Sequence, residues 1–157
     1  MMAVNKTVFF IIGNLLIILG LFMLVPYWVQ ILYNEGGHSF LSSSFVTILI
    51  GGLFVLANLQ EEYQLNLKQT FLFSTLAWIS IAGFGALPFI LSDINFSVSD
   101  SFFESMSGIT TTGSTVVTNL DTSPKSILLW RAIMQWLGGV GIIVMAITVL
   151  PLLKVGG

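Results

Sequence analysis

The sequence has no cysteine and is poor in charged residues, which make up only 8% of its 157 residues. The lack of cysteine excludes disulfides, thiol catalysis and cysteine-based metal sites. A soluble domain usually carries about a quarter charged residues, so this chain has too few to cover a water-facing surface. Because 55% of the residues are hydrophobic, the composition predicts an integral membrane protein whose first partner is the lipid bilayer.

The chain also has little of what catalysis or nucleic-acid binding requires. It contains one histidine and seven acidic residues, and no Ser/His/Asp or HExxH arrangement connects them. We therefore expect neither an enzyme nor a bound cofactor. The net charge of −2 is too small to indicate a nucleic-acid partner.

Four apolar stretches are long enough to cross a bilayer. A hydrocarbon core of about 30 Å needs about 20 mostly apolar helical residues, and the stretches are 8–33, 40–59, 70–91 and 126–150. The first is too long for the core of a signal peptide. The pattern predicts an all-α membrane fold, with an N-terminal transmembrane hairpin over 1–66 and a helix–pore loop–helix unit over 67–157.

The charges near the predicted helix ends favour a cytoplasmic N-terminus. That orientation places Lys6, Lys68 and Lys154 inside, and Lys125 and Arg131 outside. Most acidic residues then lie outside, where they would concentrate cations at an entrance. The outer acidic residues are Glu35, Asp93, Asp100, Glu104 and Asp121, which leaves Glu61 and Glu62 inside.

A short helix is predicted between the third and fourth spans. Ser97 and Asp100 have the spacing of a capping box with Asp in place of Glu, which starts a helix. About ten residues follow, roughly 15 Å of helix, which can enter a membrane but cannot cross it. An apolar stripe of Phe102, Phe103, Met106 and Ile109 is opposed by Ser101, Glu104, Ser105 and Gly108.

The run Thr110-Thr111-Thr112-Gly113-Ser114 follows this helix. Non-helical backbone at membrane depth is tolerated only where it is buried in protein or lines a watery cavity. Its carbonyl oxygens can replace the hydration shell of a cation, and Gly113 permits the backbone angles that such a strand needs. The alternative is a Ser/Thr-rich loop on an interfacial helix. The order span, short helix, strand, span favours a re-entrant cation filter.

Arg131 and Gln135 lie one turn apart near the outer end of the fourth span. An arginine in a membrane helix suggests a functional role and needs a partner, and Glu104 or Asp121 could supply it. The alternative is an arginine that reaches to the lipid headgroups. Further along the span, Gly138, Gly139 and Gly141 form a small-residue face that is typical of close helix packing, and Gly83, Gly85 and Pro88 in the third span indicate similar packing or a bend.

Residues 101–115 and 130–142 together resemble the first pore repeat of the Trk/Ktr/HKT potassium transporters, and most of all TrkH-type subunits. The resemblance implies potassium uptake through the bacterial inner membrane. It implies carbonyl ligands at Thr110, Thr111, Thr112 and Gly113. We expect Ser114, Glu104 and Arg131 in supporting positions beside them. Ser114 departs from the small apolar residue often found in the family. The resemblance also implies a homodimer and a cytoplasmic nucleotide-binding regulator of the TrkA type.

TrkH subunits have four such repeats around one pore, whereas this sequence contains one. One filter strand cannot encircle an ion, so we expect this chain to be a fragment of a transporter subunit. Two alternatives remain: a homotetrameric cation channel of this chain alone, and a non-conducting membrane subunit that assembles or regulates a partner.

Overall fold

The computed structural model describes the backbone of residues 3–60, 67–94, 96–118 and 120–152, with side chains over 6–60, 68–94, 96–118 and 120–143. Glu61, Glu62 and Lys154, which entered the prediction of orientation, lie outside the described residues. The predicted division between 66 and 67 falls at the edge of such a gap, and it stays a prediction.

The described residues form six α-helices joined by short loops. They are α1 (Ala3–Leu32), α2 (Ser39–Ala57), α3 (Leu67–Gly85), α4 (Leu87–Ile90), α5 (Val98–Ile109) and α6 (Lys125–Leu152), with a single 3-10 turn at Leu120–Thr122. By length and composition, four segments can cross a membrane: Lys6–Leu32, Ser39–Ala57, Lys68–Ile90 and Lys125–Ile143. The predicted all-α membrane fold, with four spans and one short helix, is confirmed.

The third span is interrupted at Ala86, between α3 and α4. Pro88 occupies the first turn of α4 and has no N–H to continue the hydrogen-bond ladder of α3. The Phe89 N–H instead donates to the Ala86 carbonyl, three residues back, at 3.0 Å. Pro88 therefore marks a bend, which was one of the two interpretations of this segment.

The α1–α2 hairpin is held together by close backbone approach. A Cβ added to Gly13 or to Gly51 would lie 2.7 Å from the carbonyl oxygen of the other residue, so both positions require glycine. The Ser44 hydroxyl donates to the Gly20 carbonyl across the same interface at 2.7 Å. Small residues of this kind let membrane helices pack without a hydrophobic driving force.

This hairpin packs directly on the rest of the chain. Helix α1 contacts α3 and α6 as well as α2, and its Leu16 and Met23 share one core cluster with Trp130 and Met134 of α6. The Trp130 indole N–H donates to the Gly85 carbonyl of α3 at 3.0 Å. One continuous core therefore connects the hairpin to the helices on either side of α5.

Glu35, in the loop between α1 and α2, caps the start of α6. Its carboxylate accepts hydrogen bonds from the backbone N–H groups of Lys125 and Ser126 and from the Ser126 hydroxyl. The first N–H groups of a helix have no partner within the helix, and a negative charge there is favourable. This contact places the α1–α2 loop and the beginning of α6 on the same side of the membrane.

Candidate functional site

Helix α5 begins with the predicted capping box. The Asp100 N–H donates to the Ser97 hydroxyl oxygen at 3.1 Å, and the Ser97 N–H donates to the Asp100 carboxylate at 3.3 Å. These reciprocal bonds satisfy two donors that would otherwise lack a partner. The sequence pattern therefore identified the start of this helix correctly.

The polar face of α5 is the face that packs against the other helices. Ser101, Glu104, Ser105 and Gly108 are buried, whereas Phe102 and Phe103 are exposed on the surface of the chain. Small side chains allow close approach here, because a Cβ on Gly85 of α3 would lie 2.6 Å from the Ser105 hydroxyl oxygen. Within the predicted apolar stripe, Phe102 and Phe103 point away from this chain's own core, whereas Ile109 is part of that core.

The backbone turns sharply where α5 ends. Thr111 has φ +57° and Gly113 has φ +78°; such values suit glycine and are unusual for a β-branched residue. The turn is closed by the Ser107 carbonyl, which accepts from the N–H groups of Thr112 at 3.0 Å and Gly113 at 3.4 Å. The chain then leaves the helix as a segment without regular secondary structure.

The strand that follows, residues 110–116, runs back along α5 and is braced by two side chains of that helix. The Ser107 hydroxyl donates to the Ser114 carbonyl at 2.6 Å. One turn earlier on the same face, the Glu104 carboxylate accepts from the Thr115 hydroxyl and from the Val116 N–H, the latter at 2.7 Å. We call residues 110–116 the filter strand.

Glu104 also joins the filter strand to α6. Its second carboxylate oxygen accepts from the Arg131 Nε at 2.8 Å, and the Glu104 side chain is 1% exposed against 16% for Arg131. A buried charge is tolerable when it is paired and fully hydrogen-bonded. Of the two partners that the sequence offered for Arg131, the structure selects Glu104, and Asp121 is exposed.

Four successive carbonyls of the filter strand remain free. Within the described residues, the carbonyl oxygens of Thr110, Thr111, Thr112 and Gly113 accept no hydrogen bond, whereas that of Ser114 is occupied by Ser107. The Thr110 hydroxyl instead donates to the Met106 carbonyl at 2.7 Å. The free carbonyls coincide with the four positions that the resemblance implies as ligands.

Gln135 lies beside the same strand. A Cβ added to Gly113 would have the Gln135 amide nitrogen as its nearest neighbour, at 3.9 Å. Arg131 and Gln135 of the fourth span therefore both face the filter strand or its brace. Their spacing of one helical turn explains why they share a side of α6.

Sequence reasoning missed three contributors to this arrangement: Ser107 and Thr115, which brace the filter strand, and Glu35, which caps α6. A signal for Ser107 was available, because it follows Glu104 by three residues and so shares its face of α5. Thr115 and Glu35 act through contacts between segments distant in sequence. Their side chains carry no local pattern that would single them out.

These features define a multi-pass membrane protein in which a re-entrant helix and an extended strand lie between two spans. The TrkH family, described as "Cation transport protein", matches residues 36–157. The chain belongs to the TrkH family of cation transport proteins.

Individual relatives agree with this assignment. The chain is 42% identical over 149 residues to the Trk system potassium uptake protein TrkH of Escherichia coli, covering 94% of this chain and 31% of the relative. It is 42% identical over 146 residues to an uncharacterized cation transporter of Methanocaldococcus jannaschii, covering 89% of this chain and 29% of the relative. These relatives are named as transporters, which agrees with the expectation that the chain is not an enzyme.

A solved structure shows the same fold. The crystal structure of the potassium transporter TrkH from Vibrio parahaemolyticus superposes with a TM-score of 0.90 at 41% identity, covering 97% of this chain and 33% of that chain. The chain thus spans about one third of the length of the relatives that it matches.

Proposed function

We propose that this chain supplies one pore repeat of a potassium uptake transporter, and that the carbonyls of Thr110, Thr111, Thr112 and Gly113 form one quarter of its ion filter. The observation that carries the proposal is the row of four free carbonyls in a strand braced from behind by α5. An extended strand with unsatisfied carbonyls is costly in a membrane unless a cation or water replaces the missing donors.

The electrostatics of the segment suit a cation. The C-terminal end of a helix carries partial negative charge, and α5 ends directly at Thr110, where the free carbonyls begin. The only nearby carboxylate in the described filter region, Glu104, is neutralised by Arg131. The ion would therefore be held by backbone dipoles and not by a fixed charge, as in potassium filters.

Potassium as the transported ion is supported by the relatives, which are named potassium uptake proteins in Escherichia coli and Vibrio parahaemolyticus. Because the chain spans only about a third of the length of these relatives, we propose potassium uptake for the assembly that contains this chain. It can be tested in a chimaera in which residues 1–157 replace the matching third of the Vibrio parahaemolyticus relative. We expect the chimaera to restore growth of potassium-uptake-deficient cells at low potassium.

The filter strand itself is tested by Gly113→Val in the chimaera. A β-branched residue at φ +78° costs about 1–2 kcal/mol, so the strand shifts and Rb⁺ uptake falls by at least tenfold at equal membrane abundance. The matched control is Gly36→Val, in an outer loop where an added Cβ meets nothing within 4 Å. Undiminished uptake in Gly113→Val would contradict the filter assignment.

The 157-residue chain alone separates this proposal from its alternatives. Reconstituted in liposomes, it should give no potassium flux, because one strand cannot surround an ion. Potassium-selective flux from the chain alone would support the homotetrameric channel. A chimaera that reaches the membrane without conducting would support the non-conducting subunit.

The location and the partners complete the proposal. We place the protein in the bacterial inner membrane with its N-terminus cytoplasmic, because exposed Lys6 and Lys68 lie at the helix ends that this orientation puts inside. Alkaline phosphatase inserted at Gly36 should then be active, and an inactive fusion would reverse the topology. A homodimer and a TrkA-type nucleotide-binding regulator follow from the resemblance, and co-purification with the chimaera would test them.

A further inference from the structure

Helices α5 and α6 approach each other closely at Gly138. A Cβ built on this residue would overlap the carbonyl oxygen of Ile109 and would lie 2.7 Å from its carbonyl carbon and 3.1 Å from its Cα. These are backbone atoms, which cannot move aside as the end of a flexible side chain can. Both residues are buried.

Ile109 is the last residue of α5, and its carbonyl immediately precedes the first free carbonyl of the filter strand. Within the described residues, the Ile109 carbonyl accepts no N–H hydrogen bond. It lies instead against the backbone of Gly138, a position where Cα–H groups contact carbonyl oxygens at helix interfaces. The C-terminal end of α5, the pore helix, therefore contacts the backbone of α6 at Gly138.

We propose that Gly138 is a positioning residue that determines how far the filter strand stands from α6. The inference rests on the proposed function of that strand, since Gly138 acts only through Ile109 and Thr110. Ordinary van der Waals separation between carbons is about 3.5–4.0 Å, so a methyl group at Gly138 must push the two helices apart by about 1 Å. A misplacement of that size in a preorganised site typically costs up to about a hundredfold in activity.

The neighbouring glycines do not share this role. An added Cβ meets nothing within 4 Å at Gly139 or at Gly141 on the same helix. Of the three glycines on this small-residue face, only Gly138 contacts the end of α5, whereas Gly139 and Gly141 have open space beside them in this chain. Gly108 of α5 belongs to the same interface, but its contact is milder, with an added Cβ 3.0 Å from the Met134 Cβ.

The test compares Gly138→Ala with Gly139→Ala in the chimaera, by Rb⁺ uptake as a function of Rb⁺ concentration and by the ratio of Rb⁺ to Na⁺ uptake. We expect Gly138→Ala to raise the half-saturating Rb⁺ concentration and to lower the uptake ratio, each by about tenfold or more. Gly139→Ala should stay within about twofold of the parent on both measures. A purely structural role would reduce membrane abundance and maximal rate and leave half-saturation and the ratio unchanged, which would overturn the proposal.

Two further variants cover the other outcomes. If Gly138→Ala does not accumulate in the membrane, Gly108→Ala tests the inference instead, because it crowds the same interface less and favours the helix. A rise of a few-fold in the half-saturating Rb⁺ concentration of Gly108→Ala would support the inference. An unchanged half-saturating concentration would refute it. Gly113→Val reports on the filter separately. If it abolishes uptake while Gly138→Ala behaves like Gly139→Ala, the filter stands and the role of Gly138 fails.

Discussion

Replacing Glu104 by glutamine tests whether one carboxylate holds the filter strand to both helices. The carboxylate accepts on both oxygens, from Val116 and Thr115 on one and from Arg131 on the other. An amide of the same shape has one accepting oxygen and one donating nitrogen. Whichever way it is turned, Glu104→Gln sets a donor against a donor and leaves Arg131 without a counter-charge.

The expected cost follows from burial. Glu104 is 2% exposed, and removing one partner of a buried ion pair costs about 3–5 kcal/mol, mainly because the other charge is left uncompensated. Arg131→Met should cost a similar amount for the same reason. The double variant removes both charges and keeps an acceptor for the Val116 N–H, so it should lose less than the sum of the two single changes.

The assay is thermal unfolding of the purified chimaera together with Rb⁺ uptake in cells. We expect the free-energy losses of Glu104→Gln and Arg131→Met to be non-additive by at least about 1.5 kcal/mol, with uptake following the same order. The control is Asp121→Asn, an exposed carboxylate that should change stability by less than about 0.5 kcal/mol. Additive losses would show that the two charges act independently and would refute the bracing role.

Two further contacts give sharp expectations. Ser107→Ala removes the hydroxyl that donates to the Ser114 carbonyl, so it should lower the unfolding free energy by about 0.5–1.5 kcal/mol and change the half-saturating Rb⁺ concentration. The control is Ser105→Ala, which should change neither quantity because the buried Ser105 hydroxyl has no partner in the described structure. Equal effects of the two variants would contradict the bracing role of Ser107. Glu35→Gln weakens the cap of α6 and should lower the unfolding free energy by about 1 kcal/mol. The control is Asp93→Asn at an exposed carboxylate, which should leave the unfolding free energy unchanged. Equal stability of the two variants would count against the cap.

Much of the architecture was readable from local sequence patterns. The four spans follow from length and apolar content, which the bilayer thickness alone determines. The start of α5 follows from Ser97 and Asp100, because a capping box uses only residues three apart. Pro88, which has no N–H, made a bend one of two interpretations of the third span, beside close helix packing. Each of these features depends on neighbours within one turn of helix or on composition.

The support of the filter strand was not readable in the same way. The sequence offered Glu104 and Asp121 equally as partners for Arg131, and only the packing of α5 on α6 brings Glu104 within hydrogen-bond distance. Similarly, Gly138, Gly139 and Gly141 look alike in the sequence. They differ because one of them meets the backbone of Ile109.

The sequence by itself therefore determined the membrane class, the spans, the short helix and the position of the threonine–glycine strand, since these depend on local hydrophobicity, capping and backbone freedom. The tertiary structure decided which face of α5 is buried, which carboxylate pairs with Arg131 and which glycine the pore helix rests on. Those choices depend on contacts between segments tens of residues apart, where a small difference in helix position decides which side chains meet.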